Sequence, residues 1–193
     1  MPPVATVALA MTLFLLFTLG ITGSVHPVSG PEAAAVSQGD RWSTIHGFPG
    51  SDPRATTAVN WALDQVGELR QPDGTLWSGW CLRFVANAYG APFAGRKSAH
   101  TMFTELSAAG RVSRTSPIPR GALVFWEWHG AVDGVARRWD HVGIYVGNGR
   151  IVHTSYAGVR NDPLDYLDHL LSCQLGRAAR LGWALAPPDW PGR

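Results

Sequence analysis

Asp140-His141-Val142-Gly143-Ile144-Tyr145-Val146-Gly147-Asn148-Gly149-Arg150-Ile151-Val152-His153 is the stretch on which the reading of this chain turns. Two apolar runs flank Gly147-Asn148-Gly149, and glycine and asparagine readily enter the positive-φ conformations of a hairpin turn. Strands are expected over residues 141–146 and 150–155. Register decides whether His141 and His153 can cooperate. A two-residue Asn148-Gly149 loop pairs 147 with 150 and sends the histidines to opposite faces. A three-residue loop, with Gly149 left-handed and a bulge, pairs 146 with 150. Residue 143 then faces 153, and the histidines become diagonal neighbours with Cβ atoms about 7–8 Å apart, within reach of two imidazoles. Joint chemistry is therefore expected to need the three-residue loop.

Outward from the hairpin, Ala122-Leu123-Val124-Phe125-Trp126 is a continuous apolar run suited to a buried strand. Residues 130–138 read as a polar, glycine-containing loop at the mouth of the sheet. Asp162-Pro163 opens a helix bearing Leu164, Leu167, Leu170 and Leu171, and a last strand is expected over 180–185. Towards the N-terminus the period changes to that of helices. Asp52 and Pro53 form a start, as N-cap and first helical residue, for Ala55, Ala58, Val59, Ala62, Leu63 and Val66, with Gly67 closing the segment. A second helix begins at or just before Cys81, with Cys81, Phe84, Val85, Ala88 and Tyr89 on one face and Gly90 as the stop. A third, capped by Ser98 and ended by Gly110, carries Met102, Phe103, Leu106 and Ala109. Helices followed by antiparallel strands make an α+β domain.

The 193 residues suit one domain, at 51–193, behind a segment of another kind. Residues 4–21 hold no charge and residues 24–50 are rich in Pro, Gly, Ser and Ala, so 1–23 reads as an export signal and 24–50 as a linker. The alternative for 4–21 is an uncleaved membrane anchor, since about 18 apolar residues just span a bilayer. Either way the domain is expected outside the cytoplasm, secreted or at the cell surface. A net charge of +2, with no Lys/Arg cluster interleaved with aromatics, argues against nucleic acid as a partner. A monomer is expected.

Chemistry can enter through Cys81. A helix N-terminus lowers a thiol pKa through its unpaired N–H groups, and the same amides can hold an oxyanion. A cysteine nucleophile needs a base within hydrogen-bond reach and a third polar group to orient that base, and His141 and His153 are the candidates. Other readings exist for the same residues. Cys81 and Cys173 are the two cysteines of the chain, and an oxidising compartment favours a disulfide between them. Cys81, His141 and His153 could also hold zinc, although no CxxC or HExxH spacing supports it. His26, His46, His100, His129 and His169 read as ordinary surface or core histidines. Trp77, Trp80, Trp126, Trp128 and Trp139 flank the motifs and could line a groove or pack in the core. Asp140 could assist His141, meet a substrate amine or be a solvated loop carboxylate, and Arg137 and Arg138 could attract carboxylates or be a solvated pair.

Pro119-Arg120-Gly121-Ala122-Leu123-Val124-Phe125-Trp126 followed by the hairpin, with Trp80-Cys81-Leu82-Arg83-Phe84-Val85-Ala86-Asn87-Ala88-Tyr89-Gly90 upstream, resembles the NlpC/P60 family of cell-wall cysteine peptidases over about residues 54–160. The resemblance implies a reduced papain-like α+β domain, its N-terminal helices packed on a small antiparallel sheet. It implies cleavage of an amide or isopeptide bond in peptidoglycan stem peptides, with peptidoglycan as the partner and neither metal nor cofactor. By the same resemblance Cys81 is the nucleophile, His141 the base and His153 its orienting group; Cys173 is then a spare buried thiol, and Trp77, Trp80 and Asp140, which flank these residues, are candidate substrate contacts. The sequence departs from the family where many members read Asp-Cys-Ser-Gly. Trp80-Cys81-Leu82-Arg83 stands there, and Leu69 and Arg70 occupy the region of a frequent tyrosine. The Cys-Leu-Arg-Phe-Val form leans towards the related CHAP amidases. The alternatives are an amidase or acyltransferase on the same scaffold and a non-catalytic wall-binding module.

Overall fold

Residues 52–132 and 134–193 are described by a computed structural model of the chain; the expected export segment and linker lie outside the described residues. Three helices come first: α1 (Ala55–Asp64), α2 (Cys81–Ala88) and α3 (Ala99–Ala108). Ser98 caps α3 as expected, its hydroxyl accepting the Thr101 N–H at 3.1 Å. Asp52 does not cap α1. Its carboxylate instead takes the backbone N–H and the guanidinium of Arg54, which holds it below the usual carboxylate range despite burial. The strands are β1 (Leu123–Trp126), β2 (His129–Val132), β3 (Val135–Arg138), β4 (His141–Gly147), β5 (Arg150–Ser155), β6 (Gly158–Pro163) and β7 (Arg180–Ala184), with α4 (Leu164–Leu175) between the last two.

Five strands form one antiparallel sheet in the order β6-β5-β4-β1-β7. Both faces are covered, so β1 reads as an unbroken apolar run rather than an alternating one. Leu123 and Phe125 pack with Val59 of α1, Phe84 and Val85 of α2 and Met102 of α3. Val124 and Trp126 pack on the other side with Leu167 and Leu171 of α4 and with Trp183. Truncating a buried aromatic such as Phe84 costs about 3–5 kcal/mol in cores of this kind. Among the described residues no helix is long and apolar enough to cross a membrane.

Two expectations are corrected. Residues 130–138 are a second hairpin, in which β2 pairs with β3 from His129↔Arg138 to Val132↔Val135. Its residues are exposed or half-buried, so no buried face imposes the alternation from which strands are recognised. Residues 158–163 are a strand, because Asp162 and Pro163 pair with Ile151 and Arg150 before α4 begins.

The β4–β5 turn differs from expectation in a way that matters. Asn148 (φ 50°) and Gly149 (φ 67°) form a two-residue turn closed by Gly147↔Arg150. The register then shifts, and Tyr145 pairs with Ile151 and Ile144 with Val152. The extra residue is absorbed as a bulge beside Gly147 (φ 93°), a conformation that suits glycine. Continued along the strands, this register sets residue 143 across from 153. The alignment that joint chemistry needs is reached without the three-residue loop.

Candidate active site

Strand geometry builds the histidine pair. His141 opens β4, and His153 lies on β5 one diagonal away. Their facing nitrogens, His141 Nε2 and His153 Nδ1, are 3.0 Å apart, and the rings meet edge to face at 5.1 Å between centroids. Gly143 makes the room. A Cβ there would lie 2.8 Å from Ile151 Cγ1 and 3.1 Å from the Cβ of His153, so a side chain would displace the second imidazole. His153 is buried. Burial and the adjacent ring push His141 down to about 3, and burial lowers His153 as well, against the opposing pull of Asp162. Both rings therefore rest neutral.

Cys81 is the first residue of α2, with Trp80 at the N-cap. The Val142 N–H, next along the chain after His141, is directed at the sulfur, and the N–H groups of Leu82 and Cys81 also favour its charged form. Burial outweighs them. Together with the negative charge of Asp140 it pushes the thiol up to about 11, contrary to the lowering expected of a helix start. Hydrogen bonding joins the two imidazoles but does not link the thiol to either of them. Such contacts are commonly long in unliganded enzymes and tighten when substrate binds. His141 Nε2 is engaged by His153, so Nδ1 is the nitrogen left to receive a proton.

The remaining candidates separate clearly. Trp77 is fully buried and packs edge-on against Phe84 at 5.2 Å, so it is a core residue and no substrate contact. Trp80 is exposed beside Cys81, with the Arg83 guanidinium over its ring. Trp126 is buried, with its N–H donated to Asp168. Asp140 is neither solvated nor available to a substrate. It is buried, and it accepts from Arg138 (2.7 and 3.1 Å), His100 (3.0 Å) and the Trp128 N–H (3.3 Å). Arg138 is thereby taken up, and Arg137 stacks on Trp139 at 3.9 Å. Both cysteines are free, and Cys173 is exposed rather than buried, because it stands on the outer side of α4 near His169. Among the described residues no three His, Cys, Asp or Glu side chains are grouped as metal ligands would be.

One residue at the site escaped the sequence reading. Asp162, taken there for a helix start, caps nothing: the N-cap of α4 is Pro163, without a side-chain cap bond. The Asp162 carboxylate instead accepts from His153 Nε2 at 3.2 Å and from Arg160 Nε and Nη2 at 2.8 Å each. These Arg160 bonds lead in holding it below the usual carboxylate range. Had β6 been recognised, its pairing of His153 with Arg160 would have placed Asp162 one diagonal from His153 on the same face.

Helices packed on an antiparallel sheet make this an α+β domain, with a thiol at a helix start and two hydrogen-bonded imidazoles on the sheet. The model of the NlpC/P60 family matches residues 72–171, a span that includes Cys81, His141 and His153, and the chain belongs to that family. Its members are generally cysteine peptidases or amidases associated with peptidoglycan. No curated protein matches the chain. Among solved structures it is similar to an NlpC/P60 family protein from Bacillus cereus ATCC 10987, at 19% identity and a TM-score of 0.46, covering 69% of this chain and 40% of that one. It is also similar to a Staphylococcus aureus Mu50 protein described as similar to lipoprotein, NLP/P60 family, at 16% identity and a TM-score of 0.44, covering 72% of this chain and 43% of that one. The chain thus spans less than half the length of either protein.

Proposed function

We propose that this protein is an exported cysteine hydrolase that cleaves an amide or isopeptide bond in peptidoglycan stem peptides. The observation that carries the reading is the His141–His153 pair at 3.0 Å, set on the strand whose next N–H meets the sulfur of Cys81. Family membership supports peptidoglycan as the substrate class, and the apolar residues 4–21 support export. In the acylation step the sulfur bonds to the carbonyl carbon while the thiol proton passes to Nδ1 of His141. The imidazolium returns that proton to the amine nitrogen as the C–N bond breaks. Water, deprotonated by His141, then opens the thioester, releases the carboxylic acid and restores the thiol.

A thiol held at about 11 beside an imidazole held at about 3 favours the neutral pair at rest. Proton transfer accordingly accompanies attack rather than preceding it, and the N–H groups of Val142, Leu82 and Cys81 are placed to stabilise the charge that develops. The test is a digest of cross-linked peptidoglycan with the full chain, read by mass spectrometry of released muropeptides. Wild type is expected to release cut stem peptides, and Cys81→Ala none. A wild type that binds the wall and releases nothing would make this a binding module. A product carrying a new amide would make it an acyltransferase.

A further inference from the structure

Beyond Cys81 and the two histidines, we propose that Asp162 is a positioning residue. Through the Nε2–H of His153 it fixes the tautomers of both imidazoles and leaves His141 Nδ1 bare to take the thiol proton. The inference rests on the proposed hydrolase reading for its catalytic consequence, and on the contacts of the two rings and the charge of Asp162 for the tautomers.

A neutral imidazole carries one N–H, and His153 has partners for it at both nitrogens. Nε2 lies 3.2 Å from Asp162 Oδ2. Nδ1 lies 3.0 Å from His141 Nε2 and 3.1 Å from the Thr154 carbonyl. If Nδ1 carried the proton, it would be donated to the Thr154 oxygen, and the bare Nε2 would turn its lone pair on a carboxylate. His141 would then have to accept at Nε2 and carry its own proton on Nδ1, the nitrogen needed as base.

With the proton on Nε2 both side-chain contacts are made, at the cost of a bare Nδ1 3.1 Å from the Thr154 carbonyl. His153 donates to Asp162, His153 Nδ1 accepts from His141 Nε2–H, and His141 Nδ1 is free. Asp162 decides between the two states because it can only accept. Arg160 grips both of its oxygens, its ionised form is favoured, and a hydrogen bond to a carboxylate is roughly twice as strong as one to a neutral carbonyl. Two strand diagonals, 141 to 153 and 153 to 162, thus carry the preference from β6 to the head of β4. When His141 becomes an imidazolium its Nε2–H still points at a lone pair, and the Asp162 charge lies one ring beyond. No proton needs to leave His153.

Long-range ¹H–¹⁵N NMR of the full chain labelled in its histidines reads which nitrogen of each ring bears hydrogen, without any substrate. In wild type both His153 and His141 are expected to be protonated at Nε2 and bare at Nδ1. In Asp162→Ala both protons are expected to move to Nδ1, and kcat on cross-linked peptidoglycan to fall about 100-fold with KM within about twofold. Asp162→Glu is expected to restore the Nε2–H tautomers and about a tenth or more of kcat. Wild-type His153 protonated at Nδ1 overturns the proposal even if Asp162→Ala fails to fold. A folded Asp162→Ala with unchanged tautomers and kcat overturns it too. If wild-type protein cleaves no wall peptide, the hydrolase reading fails, and the tautomer spectra decide the assignment by themselves.

Discussion

Asp140 and Asp162 are held by the same local device and do different things with it. Each sits two residues after an arginine that donates to both carboxylate oxygens, Arg138 in one case and Arg160 in the other. Each is buried, and each also accepts from a histidine, His100 or His153. What differs lies beyond the histidine. His100, on α3, has its side chain 39% exposed, and its ring passes nothing on. His153 has its side chain 6% exposed, and its second nitrogen meets His141. Asp140 precedes His141 in the chain, on a left-handed backbone (φ 58°), yet its carboxylate is bonded to Arg138, His100 and the Trp128 N–H and not to the His141 ring. Adjacency in sequence is thus a poor guide here, and adjacency across strands a good one.

The strongest way to break this comparison is to remove the two histidines in turn. His153→Ala is expected to lower kcat about 1,000-fold, within the range for loss of an oriented acid–base system, while His100→Ala leaves kcat within about twofold. Equal losses in muropeptide release would show that the two aspartate networks are merely structural.

A second, smaller effect reads the end of each network at the sulfur. With the thiol pushed up to about 11, Cys81 is expected to react with iodoacetamide at pH 7 about 100-fold more slowly than an ordinary thiol, the rate rising until the pH passes about 11. Exposed Cys173 is expected to label first without loss of activity. Asp140→Asn removes a nearby negative charge that helps raise Cys81, so it is expected to speed Cys81 labelling. Peptide mapping across a pH series checks both, and a Cys81 that labels as fast as Cys173 at pH 7 contradicts the burial argument.

The smallest effect concerns stability. Asp140 is fully enclosed while Asp162 keeps a little exposure, and Arg138 is less exposed than Arg160. Asp140→Asn, which leaves Arg138 without its charged partner, is expected to cost about 2 kcal/mol, or about 6 °C in Tm. Asp162→Asn is expected to cost less. Calorimetry at neutral pH orders the two, and the reverse order would mean that Asp162 contributes mainly to the fold. Acid sharpens the second case. The folded-state pKa of Asp162 is depressed, so its contribution is present above the ordinary carboxylate range and is lost as the pH falls from there through the lower folded-state value.

Much of the fold was legible because local patterns and burial agree. The three-four spacing of α1 and α2, the Ser98 cap and the Gly147-Asn148-Gly149 turn are short-range signals, and the structure keeps them, except that α1 ends at Asp64 and leaves the expected face residues Leu63 and Val66 exposed. The β2–β3 hairpin left no such trace, since a ribbon with no buried face needs no alternation. β6 was hidden by Asp162-Pro163, which reads as a helix start and is in fact the end of a strand whose last residue precedes α4.

The sequence by itself determined the class of domain, the order of its helices and of four of its seven strands, and the three residues read as the family motif, because periodicity, caps and turn residues act over a few residues. Only the tertiary structure decided which residues those three meet. Register came from a bulge beside Gly147 rather than from loop length, Trp77 was drawn into the core, and Asp162 rather than Asp140 was set against the histidine pair. The physical reason is that pairing across strands joins residues far apart in the chain, and a one-residue change of register moves every side chain to the other face.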